Sequence, residues 1–216
     1  MSTVTRLAHN RVSLALHLLR EGEGRPLLLL HGLGESSDPV VSSPLPAWPG
    51  PIHGLDFTGH GESTVPAGGG YTTEILLGDA DAAIEHLGEV TVLGRGLGGY
   101  VALLLAGARP DRVRGAIIDD GPGLSGGPIE PASTAVMSLG GDGISPDPYA
   151  LLELGRDLRP VDYALDFVRL ATEAGAIVEP ITVVAQFRPP WLAAVATAPG
   201  VGTGELDAAL ERYARL

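Results

Sequence analysis

Between Glu89 and Pro122 the chain reads EVTVLGRGLGGYVALLLAGARPDRVRGAIIDDGP. A β-prone apolar run, Val90–Leu93, meets a turn in which Gly94, Gly96, Gly98 and Gly99 fill four of six positions. An apolar stretch of small residues, Tyr100–Ala108, reads as a helix buried on several sides, and Val113–Ile118 as the next strand. Strand, tight turn, helix and strand in that order form a crossover unit, which pairs its strands in parallel and lays the helix on a sheet face. Such strands are covered on both faces, so they are apolar throughout instead of alternating.

The rest of the chain extends this pattern. Arg11–Leu19 partly alternates, Glu21–Gly24 is a turn, and Leu27–Leu30 is purely apolar, which reads as two strands joined by a hairpin. Ser36–Gly50 holds four prolines, so any helix there is short. Pro51–Asp56 is a short strand, and Tyr71–Leu87 carries Ile75, Leu76, Ala80, Ala83, Ile84 and Leu87 at helical spacing. Gly121–Pro148 is rich in Gly, Pro and Ser and reads as a loop or reduced cap, extending to about residue 160. Helices are expected over Tyr149–Arg156, Tyr163–Glu173, Trp191–Thr197 and Leu206–Leu216, and a strand over Ile181–Ala185. Tyr163, Phe167 and Leu170 read as a core stripe. The fold class is therefore α/β: a mostly parallel sheet with helices on both faces, in one domain spanning residues 1–216.

Composition narrows the function classes. The net charge is -12, and arginine supplies all 14 basic residues, scattered without a stripe. Nucleic acid and anionic membrane are poor partners for such a surface. No cysteine is present, which removes disulfides, thiolate metal sites and a cysteine nucleophile. No His spacing suits a metal site, so neither metal nor cofactor is expected. The first 24 residues lack a secretory pattern, since Arg11, His17 and Arg20 interrupt it, and no run approaches a membrane span. A cytoplasmic location is expected, and the oligomeric state is left open.

Three segments, in order, resemble the α/β-hydrolase superfamily. Leu27–Ser36, LLLLHGLGES, is an apolar strand ending in His-Gly. Asp56–Ser63, DFTGHGES, matches the D-x-x-G-H-G-x-S loop after the next strand. Gly94–Gly99 occupies the place of the G-x-S-x-G nucleophile elbow, where the catalytic serine sits on a strained strand-to-helix turn. The resemblance implies a small-molecule pocket above the carboxyl ends of the strands. It also implies an oxyanion hole built from the backbone N–H groups of Leu33 and Leu97.

The resemblance stops at the chemistry. A serine triad needs a nucleophile, a base and a carboxylate that orients the base. Residue 96 is glycine, a vacated nucleophile position. The family's acid follows the penultimate strand, but here Ile181–Ala185 leads into Gln186-Phe187-Arg188-Pro189-Pro190. All six histidines lie within the first 86 residues, so none follows the last strand. Glycine occupies strained backbone regions freely, whereas a residue with a side chain pays about 1–3 kcal/mol there. Loss of the serine is thus expected to have relaxed the elbow.

Three readings of function follow. The first is a catalytically degenerate hydrolase-fold protein that keeps its small-molecule pocket. The second is a hydrolase, lyase or cyclase without covalent catalysis, using the backbone oxyanion hole with His31 or Asp120 for proton transfer. The third takes Gly94, Gly96 and Gly99 as a G-x-G-x-x-G turn with Asp119 at the next strand end, the pattern of a dinucleotide site. Arg95 and His60 are candidates for the pocket. Arg95 could hold an anion but more simply pairs with a nearby carboxylate, while His31, His60 and Asp56 more simply brace loop backbone.

Overall fold

A computed structural model describes residues 3–37, 45, 48–127 and 145–216. The expected short helix over Ser36–Gly50, and most of the expected cap, fall largely outside the described residues. Among the described residues, eight strands form one sheet: β1 (Thr3–His9), β2 (Val12–Arg20), β3 (Leu27–Leu30), β4 (Ile52–Asp56), β5 (Val90–Arg95), β6 (Val113–Asp119), β7 (Ile181–Val183) and β8 (Val201–Thr203). Six helices among the same described residues accompany them: α1 (Thr73–Leu87), α2 (Leu97–Ala108), α3 (Pro148–Arg156), α4 (Val161–Ala174), α5 (Pro190–Ala196) and α6 (Leu206–Ala214).

The strand order is β1-β2-β4-β3-β5-β6-β7-β8. β1 and β2 are antiparallel, as are β2 and β4, and every pairing from β4 through β8 is parallel. The expected hairpin between Arg11–Leu19 and Leu27–Leu30 does not form. β2 makes its hairpin with β1, Leu7 opposite Leu14, and β4 lies between β2 and β3. The reason is burial: the LeuLeuLeuLeu run of β3 is covered best between two parallel neighbours, Leu28 facing His53 on one side and Val92 on the other. β1 alternates weakly and is half exposed, and β8 is three residues long, so neither gave a sequence signal.

α2 forms the centre of the core. Eleven of its twelve residues are buried, among them Leu97, Tyr100, Val101, Leu103 and Leu104. It packs against β5, β6 and α4. The buried face of α4 is Ala164, Val168 and Ala171, spaced by four and three. Tyr163 and Leu170, expected in the core, are 36% and 44% exposed, so the stripe is displaced by one residue. Small side chains on that face let α4 approach α2 closely, with Gly107 passing against the backbone of Phe167.

The connection after β3 leads to β4 on one side, and the next parallel strand, β5, lies on the other. That reversal places a crevice between the carboxyl ends of β3 and β5, the usual ligand position in an open α/β sheet. His31-Gly32 closes β3 there and Gly96 closes β5. Among the described residues, no helix is long and apolar enough to cross a membrane.

Candidate functional site

The elbow is filled with backbone. Gly96 has φ 58 and ψ -119, a conformation that side chains rarely adopt. A Cβ placed there would lie 2.2 Å from the Pro122 carbonyl oxygen and 2.6 Å from the Gly121 carbonyl carbon. The space a nucleophile would need is occupied by the loop that leaves β6. The same Pro122 oxygen accepts the Leu97 N–H at 2.9 Å and the Leu33 N–H at 3.0 Å. These are the two donors expected to form an oxyanion hole, and both converge on one carbonyl of the chain itself.

The other glycines of the turn have packing reasons. A Cβ on Gly94 would lie 2.1 Å from the Gly98 oxygen, and one on Gly98 would lie 2.3 Å from the Leu30 oxygen. β3, β5 and the start of α2 therefore touch backbone to backbone. The Gly98 N–H donates to the His31 oxygen at 3.1 Å and the Gly99 N–H to the Gly96 oxygen at 3.0 Å. A pyrophosphate at this helix start would need amides that already have partners. The Asp119 carboxylate, expected to meet a ribose, accepts the Asp120 N–H at 2.8 Å. The geometry of Gly94, Gly96 and Gly99 thus serves strand–helix contact rather than a nucleotide.

His31 is buried and spends both ring nitrogens on backbone. Nδ1 donates to the Gly32 oxygen at 2.8 Å, and Nε2 accepts the Phe57 N–H at 3.1 Å. That pattern fixes the neutral tautomer. Burial, and then the neighbouring His60, lower its pKa to about 4, against the opposing pull of the Gly32 carbonyl and Asp56. His60, also fully buried, donates from Nδ1 to the Thr58 oxygen at 3.2 Å and accepts the Gly34 N–H at 3.3 Å. Burial likewise pushes its pKa down. The two rings lie 5.0 Å apart and tie the His-Gly turn to the loop after β4. Neither offers a free lone pair to take up a proton.

Asp120 is committed in a similar way. Its oxygens accept the Gln186 N–H at 2.7 Å and the Phe187 N–H at 3.1 Å, so it holds the segment that follows β7. Asp119 is pushed above the usual carboxylate range, first by burial and further by the charge of Asp120. Arg95 is exposed and pairs through Nε with Glu35 at 3.1 Å, and Glu35 accepts the Gly32 N–H at 3.0 Å. It braces the turn beneath it, the simpler of its two expected roles.

Two acid–base pairs, one buried and one half-buried, escaped sequence reasoning. His17 donates from Nε2 to Asp56 at 2.9 Å, and the same carboxylate accepts the Ser37 and Glu62 N–H groups at 2.6 and 2.8 Å. Asp79 meets His9 at 2.7 Å, and accepts the Thr58 N–H at 2.8 Å and the Thr58 hydroxyl at 2.9 Å. Burial raises the Asp79 pKa above its usual value, against these hydrogen bonds. The partners are 39 and 70 residues apart, a separation no local pattern encodes. At the strand ends where the family carries acid and base, β7 leads into Val184-Ala185-Gln186 and β8 into Gly204-Glu205. Among the described residues no group of three His, Asp or Glu side chains could hold a metal ion.

Comparison with known proteins agrees with this scaffold. The chain is 30% identical over 128 residues to an (E)-2-((N-methylformamido)methylene)succinate hydrolase of Acinetobacter baylyi, covering 53% of this chain and 43% of that protein. It is 33% identical over 110 residues to a 2-hydroxymuconate semialdehyde hydrolase of Pseudomonas putida, covering 49% and 39%. The chain thus matches less than half the length of either relative. Its fold is similar to that of a thioesterase domain from the curacin biosynthetic pathway, with TM-score 0.72 and 15% identity over 100% of this chain and 97% of that one. A hypothetical protein of Pseudomonas aeruginosa PAO1 is similar too, with TM-score 0.63 and 18% identity over 98% and 96%. A family model described as the alpha/beta hydrolase fold matches residues 25–143, which hold β3 to β6, the elbow and the His-Gly turn. With its sheet order, its switch point and this match, the chain belongs to the α/β-hydrolase fold family.

Proposed function

We propose that this chain is a non-catalytic α/β-hydrolase-fold protein that binds a small molecule at the carboxyl edge of its sheet. The observation that carries this reading is the Pro122 carbonyl, which takes the Leu33 and Leu97 amides at 3.0 and 2.9 Å. A catalytic oxyanion hole keeps preorganised donors open toward the position where charge develops. Here those donors are satisfied in the ground state by the protein's own carbonyl. The reacting side chains are missing as well: Gly96 has none, and His31, His60 and Asp120 are engaged by backbone. The hydrolase names of the relatives match the shared scaffold, while the residues at this chain's elbow support binding without turnover.

The test is turnover of p-nitrophenyl acetate and butyrate by highly purified protein, beside a His31→Ala variant and a heat-inactivated control. Wild type is expected to match the control. A wild-type rate above the control that disappears in His31→Ala would make the protein an enzyme with a relocated base and would overturn the reading.

A further inference from the structure

Arg159 is the one arginine among the described residues that is buried as a whole, at 6% exposure. Three contacts hold it. Its Nη1 donates to the Leu124 carbonyl, its guanidinium lies 4.8 Å from the centre of the Tyr100 ring, and its stem passes Gly126. A Cβ on Gly126 would stand 3.1 Å from Arg159 Cγ and Cδ, so the glycine makes that passage possible. The Leu124 carbonyl also accepts the Trp191 indole N–H at 2.9 Å, and Trp191 packs edge-on against Tyr100 with ring centres 4.9 Å apart. Arg159 thus stands in an aromatic setting, fixed in orientation.

What it lacks is an anion. Nε and Nη2 are buried and have no hydrogen-bond partner among the described residues. These two nitrogens share one edge of the guanidinium, the edge that receives both oxygens of a carboxylate. The nearby Asp157 makes no hydrogen bond to them; its carboxylate accepts the Thr73 N–H at 3.0 Å. Burial lowers the guanidinium to about 10, the charges of Tyr100 and Asp157 acting the other way, so the group stays cationic at neutral pH. A buried guanidinium with two unpaired donors is costly even with the Asp157 charge nearby, and an anion received on that edge would complete it.

The location is also telling. Tyr100 lies in the first turn of α2, Leu124 in the loop after β6 and Trp191 at the start of α5, after β7. All three belong to the carboxyl edge of the sheet, where α/β folds bind ligands. We propose that Arg159 is the anion-recognising centre of this small-molecule site, and that its ligand carries a carboxylate on an aromatic or apolar body. The proposal rests on the binding reading above and names the ligand class. Both open nitrogens are shielded from solvent, so a carboxylate that reaches them is desolvated there.

The test is a calorimetric titration of the full chain with phenylacetate and with phenylacetamide, which has the same shape and no charge, with the Arg159 Nε–H signal followed by NMR in the wild type. Phenylacetate is expected to bind saturably, at least about tenfold tighter than the amide, as charged hydrogen bonds at a desolvated site require. Arg159→Met should abolish that preference, and it is expected to fold, because it removes an uncompensated charge. Should it not fold, Arg159→Lys takes its place: it keeps the charge, loses the two-pronged edge and should weaken phenylacetate several-fold. Equal affinity for acid and amide, no saturable binding of phenylacetate, or undiminished binding by the variants would overturn the proposal. Ester turnover reports separately: absent turnover with no carboxylate binding removes only this inference, whereas turnover removes the non-catalytic reading itself.

Discussion

The Leu97 amide, first in α2, donates to the Pro122 carbonyl at 2.9 Å, and this contact closes the elbow from above. Leu97 follows Gly96 directly, and Pro122 sits in the loop after β6. Leu33 donates to the same oxygen at 3.0 Å, so one carbonyl takes both amides that the family resemblance assigns to an oxyanion hole. The glycine at position 96 and the loop at 121–122 are therefore mutually dependent. Without a side chain at 96 the loop can descend, and with the loop down no side chain fits.

Placing a serine at position 96 should then damage the protein. In Gly96→Ser the Cβ meets the Pro122 oxygen at 2.2 Å, and a left-handed φ of 58 is imposed on a residue with a side chain. Overpacking costs about 1–3 kcal/mol and the backbone conformation about 1–3 more. A loss of roughly 2–6 kcal/mol in urea unfolding is expected, with no esterase activity gained. A variant as stable as wild type would show that the loop moves aside freely.

Asp56 collects three hydrogen bonds at the end of β4, from His17, Ser37 and Glu62. Asp56→Ala leaves all three donors without an acceptor, two of them backbone amides. At about 1–3 kcal/mol for each stranded group, a loss of about 3 kcal/mol or more is expected. Urea denaturation reads it directly, and a loss below about 1 kcal/mol would mean that water replaces the carboxylate.

The arginine beside the elbow gives a contrasting expectation. The Arg95–Glu35 pair is 52% and 32% exposed, and exposed pairs contribute little. Arg95→Ala should change the thermal midpoint by no more than a few degrees and leave phenylacetate binding intact. Loss of that binding would move the anion site from Arg159 to Arg95.

Buried His31 makes the fold acid-sensitive in a defined window. Its folded pKa, about 4, lies below its ordinary value of 6.5. Above pH 6.5 both folded and unfolded chains hold it neutral, so stability is complete. As pH falls from 6.5 toward 4 the unfolded chain takes up the proton and the folded chain does not, so stability is lost, on the order of 3 kcal/mol in all. His60 shifts in the same direction, and Asp79, raised by burial, partly offsets both at the acid end. Urea midpoints at pH 7.5 and 4.5 should differ less in His31→Gln than in wild type. Equal differences would remove His31 as the cause.

The scaffold was legible because its signals are local. The apolar runs of β3 and β5, the glycine turn and the helical spacing of α1 each lie within one short stretch of chain. The place of β2 was not legible, since its pairing with β4 is decided by burial of distant strands. The glycine at position 96 and the absence of any histidine after residue 86 were plain in the sequence. That Pro122 fills the space was not, because nothing in Gly121-Pro122 marks a carbonyl aimed at residues 33 and 97. The unpartnered edge of Arg159 was hidden for the same reason: only the folded chain shows which guanidinium is buried and what it lacks.

The proposed filling of the oxyanion hole is tested most directly by through-hydrogen-bond NMR couplings in isotope-labelled protein. Correlations from both the Leu33 and the Leu97 amide nitrogens to the Pro122 carbonyl carbon, with both amides protected from hydrogen exchange, are the predicted result. Amides that exchange rapidly and show no coupling to Pro122 would leave an open hole, and would contradict the account at its centre.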